Sequence, residues 1–148
     1  MIGKNLLHNV AIDRVLVAVA DGKAASNSDI LDMSGYEGVC FIAKVADVTN
    51  GSVLTLACQS GDDAVLGDAA TLAGTVTYTA DATDADDDLL VLDVFKPRER
   101  YVRAVFTSAT QNAVKDGVIA IRYGARKVPI TQGATVLDSD VLVSPAEA

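Results

Sequence analysis

Residues 96–127 read KPRERYVRAVFTSATQNAVKDGVIAIRYGARK. Two β-type runs, 101–107 and 118–123, are joined in it by a polar loop, because apolar side chains recur there with a period of two. Parity puts Tyr101 and Arg103 on one strand face and Val102, Ala104 and Phe106 on the other. Arg122 and Tyr123 fall on opposite faces of the later strand. The stretch also holds eight of the twelve Lys and Arg residues against only Glu99 and Asp116, a local balance of +6. Residues 1–95 carry four basic and fifteen acidic side chains, and the tail after Lys127 carries three acidic ones. A basic patch thus sits inside an acidic chain.

The surrounding sequence supplies more short strands. Residues 14–20 form a β-type run ended by the turn dipeptide Asp21-Gly22. A polar loop, 23–29, and a brief strand, 30–33, follow, and Ser34-Gly35 breaks the latter. The longer run 37–47, EGVCFIAKVAD, leads to Asn50-Gly51, a strong hairpin signal because both residues tolerate positive φ, with 52–59 as the returning partner. Beyond the loop 60–70, LAGTVTYTA (72–80) alternates as a half-exposed strand should. The acidic loop DATDADDD (81–88) precedes LLVLDVF (89–95), whose near-continuous apolar character predicts a central strand covered on both faces. Pro97 ends it. Residues 135–137 and 141–143 read as short final strands.

Eight to ten short strands without a long helix predict an all-β fold, an antiparallel β-sandwich of jelly-roll-like type. Residues 14–148 form its single domain, and residues 1–13 form an N-terminal arm in which Ile2, Leu6, Leu7 and Val10 are the apolar contacts. No apolar run approaches the roughly 18–20 residues of a membrane helix. The N-terminus, broken by His8, Asn9 and Asp13, makes a poor signal peptide, so synthesis in the cytoplasm is expected.

The hairpin also decides the cysteines. A two-residue Asn50-Gly51 loop pairs Thr49 with Ser52 and sets Cys58 opposite Ala43, three residues from Cys40 and of opposite parity. Slipping the register by one puts both sulfurs on one face but about 13 Å apart, beyond disulfide reach. Two free, mostly buried thiols are expected.

Composition excludes several chemistries. A net charge of −8 and a pI near 4.4 argue against non-specific nucleic-acid binding. The absence of Trp removes the usual stacking platform for a glycan or a base. The single histidine, His8, lies in the arm, so no catalytic triad or Cys-His pair is suggested, and no phosphate-binding or dinucleotide fingerprint occurs. Asp84, Asp86 and Asp88 have the spacing of the first three ligands of an EF-hand loop, but Leu89 replaces the obligatory Gly and Phe95 the closing Glu. A non-EF calcium site shared with Asp81 or Asp87 is the alternative to the favoured reading, a solvated loop whose like charges keep sheet edges apart.

The basic patch reads either as an internal salt-bridge set answering Asp93, Glu99 or the acidic loop, or as a protein interface. The interface is slightly favoured, because Arg and Tyr carry much of the energy of such contacts. DMSGYEGVCFIA (32–43), DVFKPRERYVRAVF (93–106), TQNAVKDGVIAIRYGARKVP (110–129) and the terminal SPAEA resemble a family of small structural proteins of tailed bacteriophages. Its members are read as head decoration, cement or capsid-stabilisation proteins, and the resemblance spans roughly residues 30–148. It implies no enzyme activity and no cofactor. It implies a homo-oligomer, trimer or dimer, bound to the major capsid protein on the virion's capsid exterior, with neither nucleic acid nor membrane as partner. On that reading Arg98, Arg100, Tyr101, Arg103, Arg122, Tyr123, Arg126 and Lys127 contribute the subunit or capsid contacts. The alternatives are a tail, collar or head–tail connector component and, less favoured, a glycan-binding module.

Overall fold

Alternating apolar residues make strands only when a second layer covers their common face, and this chain supplies two such layers. The computed structural model describes residues 5–82 and 84–144. Its strands are β1 Ala11–Leu16, β2 Val19–Gly22, β3 Ala25–Asn27, β4 Leu31–Asp32, β5 Gly38–Val48, β6 Val53–Gly61, β7 Ala70–Thr71, β8 Val76–Thr79, β9 Leu89–Phe95, β10 Tyr101–Ala109 and β11 Ala113–Tyr123. All pairings are antiparallel. One sheet has the order β1-β11-β5-β9, with β2 also on β11. The other has the order β3-β10-β6-β7, with β4 also on β10 and β8 also on β6. We call them sheets A and B.

The inward residues follow parity. Val39, Phe41, Ala43 and Val45 of β5 and Val118 and Ala120 of β11 meet Leu54, Leu56 and Cys58 of β6 and Val102, Ala104 and Phe106 of β10 in one core. Burying each large side chain contributes about 2 kcal/mol. The all-β class, as two antiparallel sheets sharing a core, stands as expected.

Which sheet each strand joins differs from the sequence reading. The turn at Asn50-Gly51 forms: Ser52 N donates to Thr49 O at 3.0 Å, and Gly51 has φ +87°. It does not make a hairpin, however. β5 pairs with β11 and β9, whereas β6 pairs with β10, β7 and β8, so the chain crosses from sheet A to sheet B at this turn. The apolar faces of β5 and β6 then meet across the core. β10 and β11 likewise are not partners but lie in opposite sheets. Cys40 consequently sits half-buried on the outer face of sheet A and Cys58 in the core, both unpaired. Burial pushes the Cys58 thiol up to about 12 and raises that of Cys40 less, with Asp93 adding to it.

Two further expectations are corrected. LLVLDVF is an edge strand of sheet A rather than a central one, pairing with β5 alone; Leu90, Leu92 and Val94 pack on the core while the alternate residues face out. Residues 135–137 and 141–143 form no strand. In the stretch read as an arm, residues 1–4, Ile2 among them, lie outside the described residues. Asn5–Asn9 form a turn, and Val10 and Ala11 are already buried where β1 begins.

A bulge in β11 has a chemical consequence. Its register on β5 shifts between Lys115 and Val118, where Gly117 takes φ +108°. Parity therefore reverses, and Lys115 points inward, 1% exposed. Its Nζ donates to Ala24 O at 2.6 Å and Ser26 Oγ at 3.2 Å, 6.0 Å from the Phe106 ring centre. Burial holds the amine below the ordinary lysine range. Between its folded pKa and the unfolded value, about 10.4, the unfolded chain binds the extra proton, so this group's contribution to stability rises with pH. Cys58 acts oppositely: its raised pKa makes the fold lose stability as pH rises above the unfolded thiol value of about 8.5. Comparing the native chain with Lys115→Met cancels the cysteine contribution. Relative to the variant, the native chain should gain stability between pH 8 and pH 10 in urea unfolding; a difference independent of pH would contradict the buried charge.

Candidate functional site

Three loops meet at one end of the two sheets. The first follows β4 and runs from Met33 to Glu37, where Tyr36 N donates to Met33 O at 3.0 Å. The second, 96–100, links β9 to β10, reversing at Lys96 (φ +53°) and Pro97. The third, 124–127, leaves β11 through Gly124 (φ +66°), whose Cβ would strike the side chain of Glu37 at 2.4 Å. Backbone bonds lace them together: Met33 N to Arg100 O at 2.7 Å, Lys96 N to Glu37 O at 2.8 Å and Arg126 N to Gly35 O at 2.9 Å. Between them lies an open groove of about 530 Å³, with Met33, Tyr36 and Pro97 as apolar lining, Lys96, Arg98, Arg100 and Arg126 as cations and Glu37, Asp62 and Glu99 as carboxylates.

The charges in this groove are not equivalent. Arg100 grips Asp32 through Nε at 3.0 Å and Nη2 at 2.9 Å, and its guanidinium lies 5.2 Å from the Tyr101 ring centre. That hydrogen bond holds the Asp32 carboxyl below the usual carboxylate range. Lys96 stands 3.8 Å from Glu37 and 5.1 Å from the Phe95 ring centre. Glu99 accepts from Ser60 Oγ at 3.1 Å. Arg98, Arg126 and Lys127 have no ion-pair partner among the described residues. Lys127 borders an adjoining hollow of about 300 Å³ with Tyr36, Arg126 and Ile130. Solvated cations with no internal partner can accept a carboxylate without first breaking a contact.

The eight residues singled out in the sequence do not form one patch. Arg98, Arg100 and Arg126 gather at the groove, with Lys127 at its margin and Tyr101 beneath Arg100. Arg103 lies on the outer face of sheet B, its Nε donating to Gln59 Oε1 at 2.8 Å. Tyr123 lies on the outer face of sheet A over Gly38, its hydroxyl donating to Asp93 Oδ1 at 2.6 Å. Burial, and then this bond, push its pKa up. Arg122 is structural. It donates through Nη2 to Asp13 at 3.0 Å and through Nη1 to Asp32 O at 2.9 Å, and stacks 4.6 Å from the Tyr36 ring centre. The internal-pairing reading therefore holds for Arg122 and Arg100, with Asp13 and Asp32 as partners in place of Asp93, Glu99 or the acidic loop.

Sequence reasoning missed Met33, Tyr36 and Glu37, which form the groove's other wall. The Ser34-Gly35 break beside an aromatic residue was the available signal.

The acidic loop does not converge on a cation. Asp84 accepts from Tyr78 Oη and from Asp81 N, while Asp86 accepts from Val48 N at 2.9 Å. Asp87 faces Lys44 at 3.8 Å. These carboxylates tie down the loop itself, and among the described residues no three potential ligands come together to hold a metal ion. The calcium candidate Asp84, Asp86 and Asp88 is thus not assembled. His8 bonds to Asn5 within the first turn.

No protein-family model matches the sequence, and no curated protein matches it.

Proposed function

We propose that this chain is a non-enzymatic virion structural protein that decorates and stabilises the outer surface of a tailed-phage capsid, using the three-loop groove to hold an acidic segment of the major capsid protein. One observation carries the reading. The loop portions of three of the four stretches that resemble head decoration proteins, DMSGYEG, KPRER and YGARK, lie far apart in sequence and converge on this groove. Its unpaired Arg98, Arg126 and Lys127 sit on a chain of net charge −8, so the groove orients an encounter while the remaining surface repels other copies. The passage of the chain between sheets from β8 through β11 supports a jelly-roll-like winding, and the same reading has the protein act as a homo-oligomer.

The test is charge reversal. Arg98→Glu, Arg126→Glu and Lys127→Glu together should weaken co-sedimentation with undecorated capsids at least about 100-fold, since like charges set against a complementary surface cost several kcal/mol. Urea stability should be unchanged, because none of the three has an ion pair among the described residues. Undiminished binding by the triple variant, or binding of the native chain to purified tails and not to heads, would overturn the proposal.

A further inference from the structure

Sheet A has two unlike edges. At the β1 edge the chain after β11 is tied down as far as Thr135. Ile130 N donates to His8 O at 2.8 Å, Gln132 Oε1 accepts from Ile12 N at 2.8 Å, and Thr135 Oγ1 accepts from Arg14 N at 3.1 Å. Beyond Thr135 the segment is mostly exposed, although Val136 N donates to Gly133 O at 3.1 Å and Val136 and Val141 are half-buried. Leu137 is 100% exposed, Leu142 72% and Val143 89%. Asp138 and Asp140 accept only from the next residues' amides, Ser139 N and Val141 N.

At the opposite edge β9 pairs, among the described residues, with β5 alone, and a hollow separates residues 92–95 from residues 72–75, so its other side has no strand partner. Leu89, Val91 and Phe95 face outward there, 56%, 48% and 60% exposed. An apolar edge strand without Pro or an inward charge is a template for another strand. Charge is complementary at one end: residues 135–144 carry two aspartates and no cation, and Lys96 after β9 has a side chain 66% exposed and 3.8 Å from Glu37, while β9 itself carries Asp93 and follows the acidic loop.

We propose that residues 136–144 of one copy add as an antiparallel strand to the open edge of β9 on a second copy, with Asp138 beside Lys96. In that register Val143 falls beside Val91, both on the outer face. Nine extended residues reach about 30 Å, enough to run the length of a seven-residue strand at about 23 Å. Donor and acceptor edges are different surfaces of the same sheet, so the contact is head-to-tail and closes into a ring when the rotation permits. The inference deepens the homo-oligomer part of the proposed function and is independent of capsid binding.

Disulfide trapping of full-length chains tests it without capsids. Val91→Cys and Val143→Cys are made separately in a Cys40→Ser background; Cys58 stays silent in the core. Mixing the two under mild oxidation should give a linked pair of one of each kind that neither variant forms alone. Light scattering of the native chain should give a whole-number multiple of 15.3 kDa, falling to one chain for Val91→Lys. A multimeric mass without the mixed cross-link would overturn the strand exchange and leave the homo-oligomer standing. A single-chain mass at all concentrations would overturn both.

Discussion

Replacing Arg122 with leucine is expected to destabilise the fold by about 2–3 kcal/mol, although the residue belongs to the most basic stretch of the chain. Its guanidinium is spent on the interior. The side chains of Arg122 and Asp13 are only 18% and 20% exposed, and the same group also bonds the carbonyl of Asp32 and stacks on Tyr36. Leucine fills part of the volume but leaves the Asp13 carboxylate half-buried without a cation, and such an orphaned charge costs more than the pair contributes. Arg100 is the matched control. Its pair with Asp32 is shorter, at 2.9 Å, but the side chains are 55% and 41% exposed, so Arg100→Leu should cost under about 1 kcal/mol. Urea midpoints of the two variants measure the contrast, and equal losses would contradict the division between structural and groove arginines.

Gly117→Ala should cost about 2–4 kcal/mol. At φ +108° any Cβ is strained, and one built there lies 2.7 Å from the carbonyl oxygen of Leu16, a backbone atom fixed by the β1–β11 pairing. The bulge that Gly117 permits keeps Val118 and Ala120 facing the core while Ala113 and Lys115, on the other side of it, also face inward. Gly35 separates the two costs. Its φ is +87°, but a Cβ there meets nothing within 4 Å, so Gly35→Ala should cost only the conformational strain, about 1–2 kcal/mol. Thermal or urea unfolding of the pair reads the difference. Equal costs would show that the contact with Leu16 relaxes freely.

Period-two burial was legible because each long strand has one wet face and one dry face. The parity of Val102, Ala104 and Phe106 follows from it. Sheet membership was not legible. Asn50-Gly51 specifies a tight reversal, which looks the same locally whether the chain returns in its own sheet or drops into the facing one. LLVLDVF has the composition of a buried central strand, yet it lies at the edge of its sheet. The bulge at Gly117 reverses parity without any apolar signal, so the inward turn of Lys115 was hidden. The basic residues cluster along the sequence, yet β10 and β11 carry them into opposite sheets, and only the loops beyond the strand ends bring Arg98, Arg100 and Arg126 together. The facing wall of the groove, Met33 to Glu37, lies some sixty residues upstream and contains no cation, so charge clustering could not find it.

These differences narrow the functional surface. Arg122 and Tyr123 serve the fold, Arg103 is held by Gln59 on the outer face of sheet B, and of the eight basic and tyrosine residues singled out only Arg98, Arg126 and Lys127 are cations at the groove without an ion pair among the described residues. A cryo-electron reconstruction of the parent particle tests the central claim most directly. We expect density for this fold on the exterior of the head lattice, with the loops at 33–37, 96–100 and 124–127 turned toward the major capsid protein. Density on the tail or collar, or on the head with the groove turned to solvent, would contradict it.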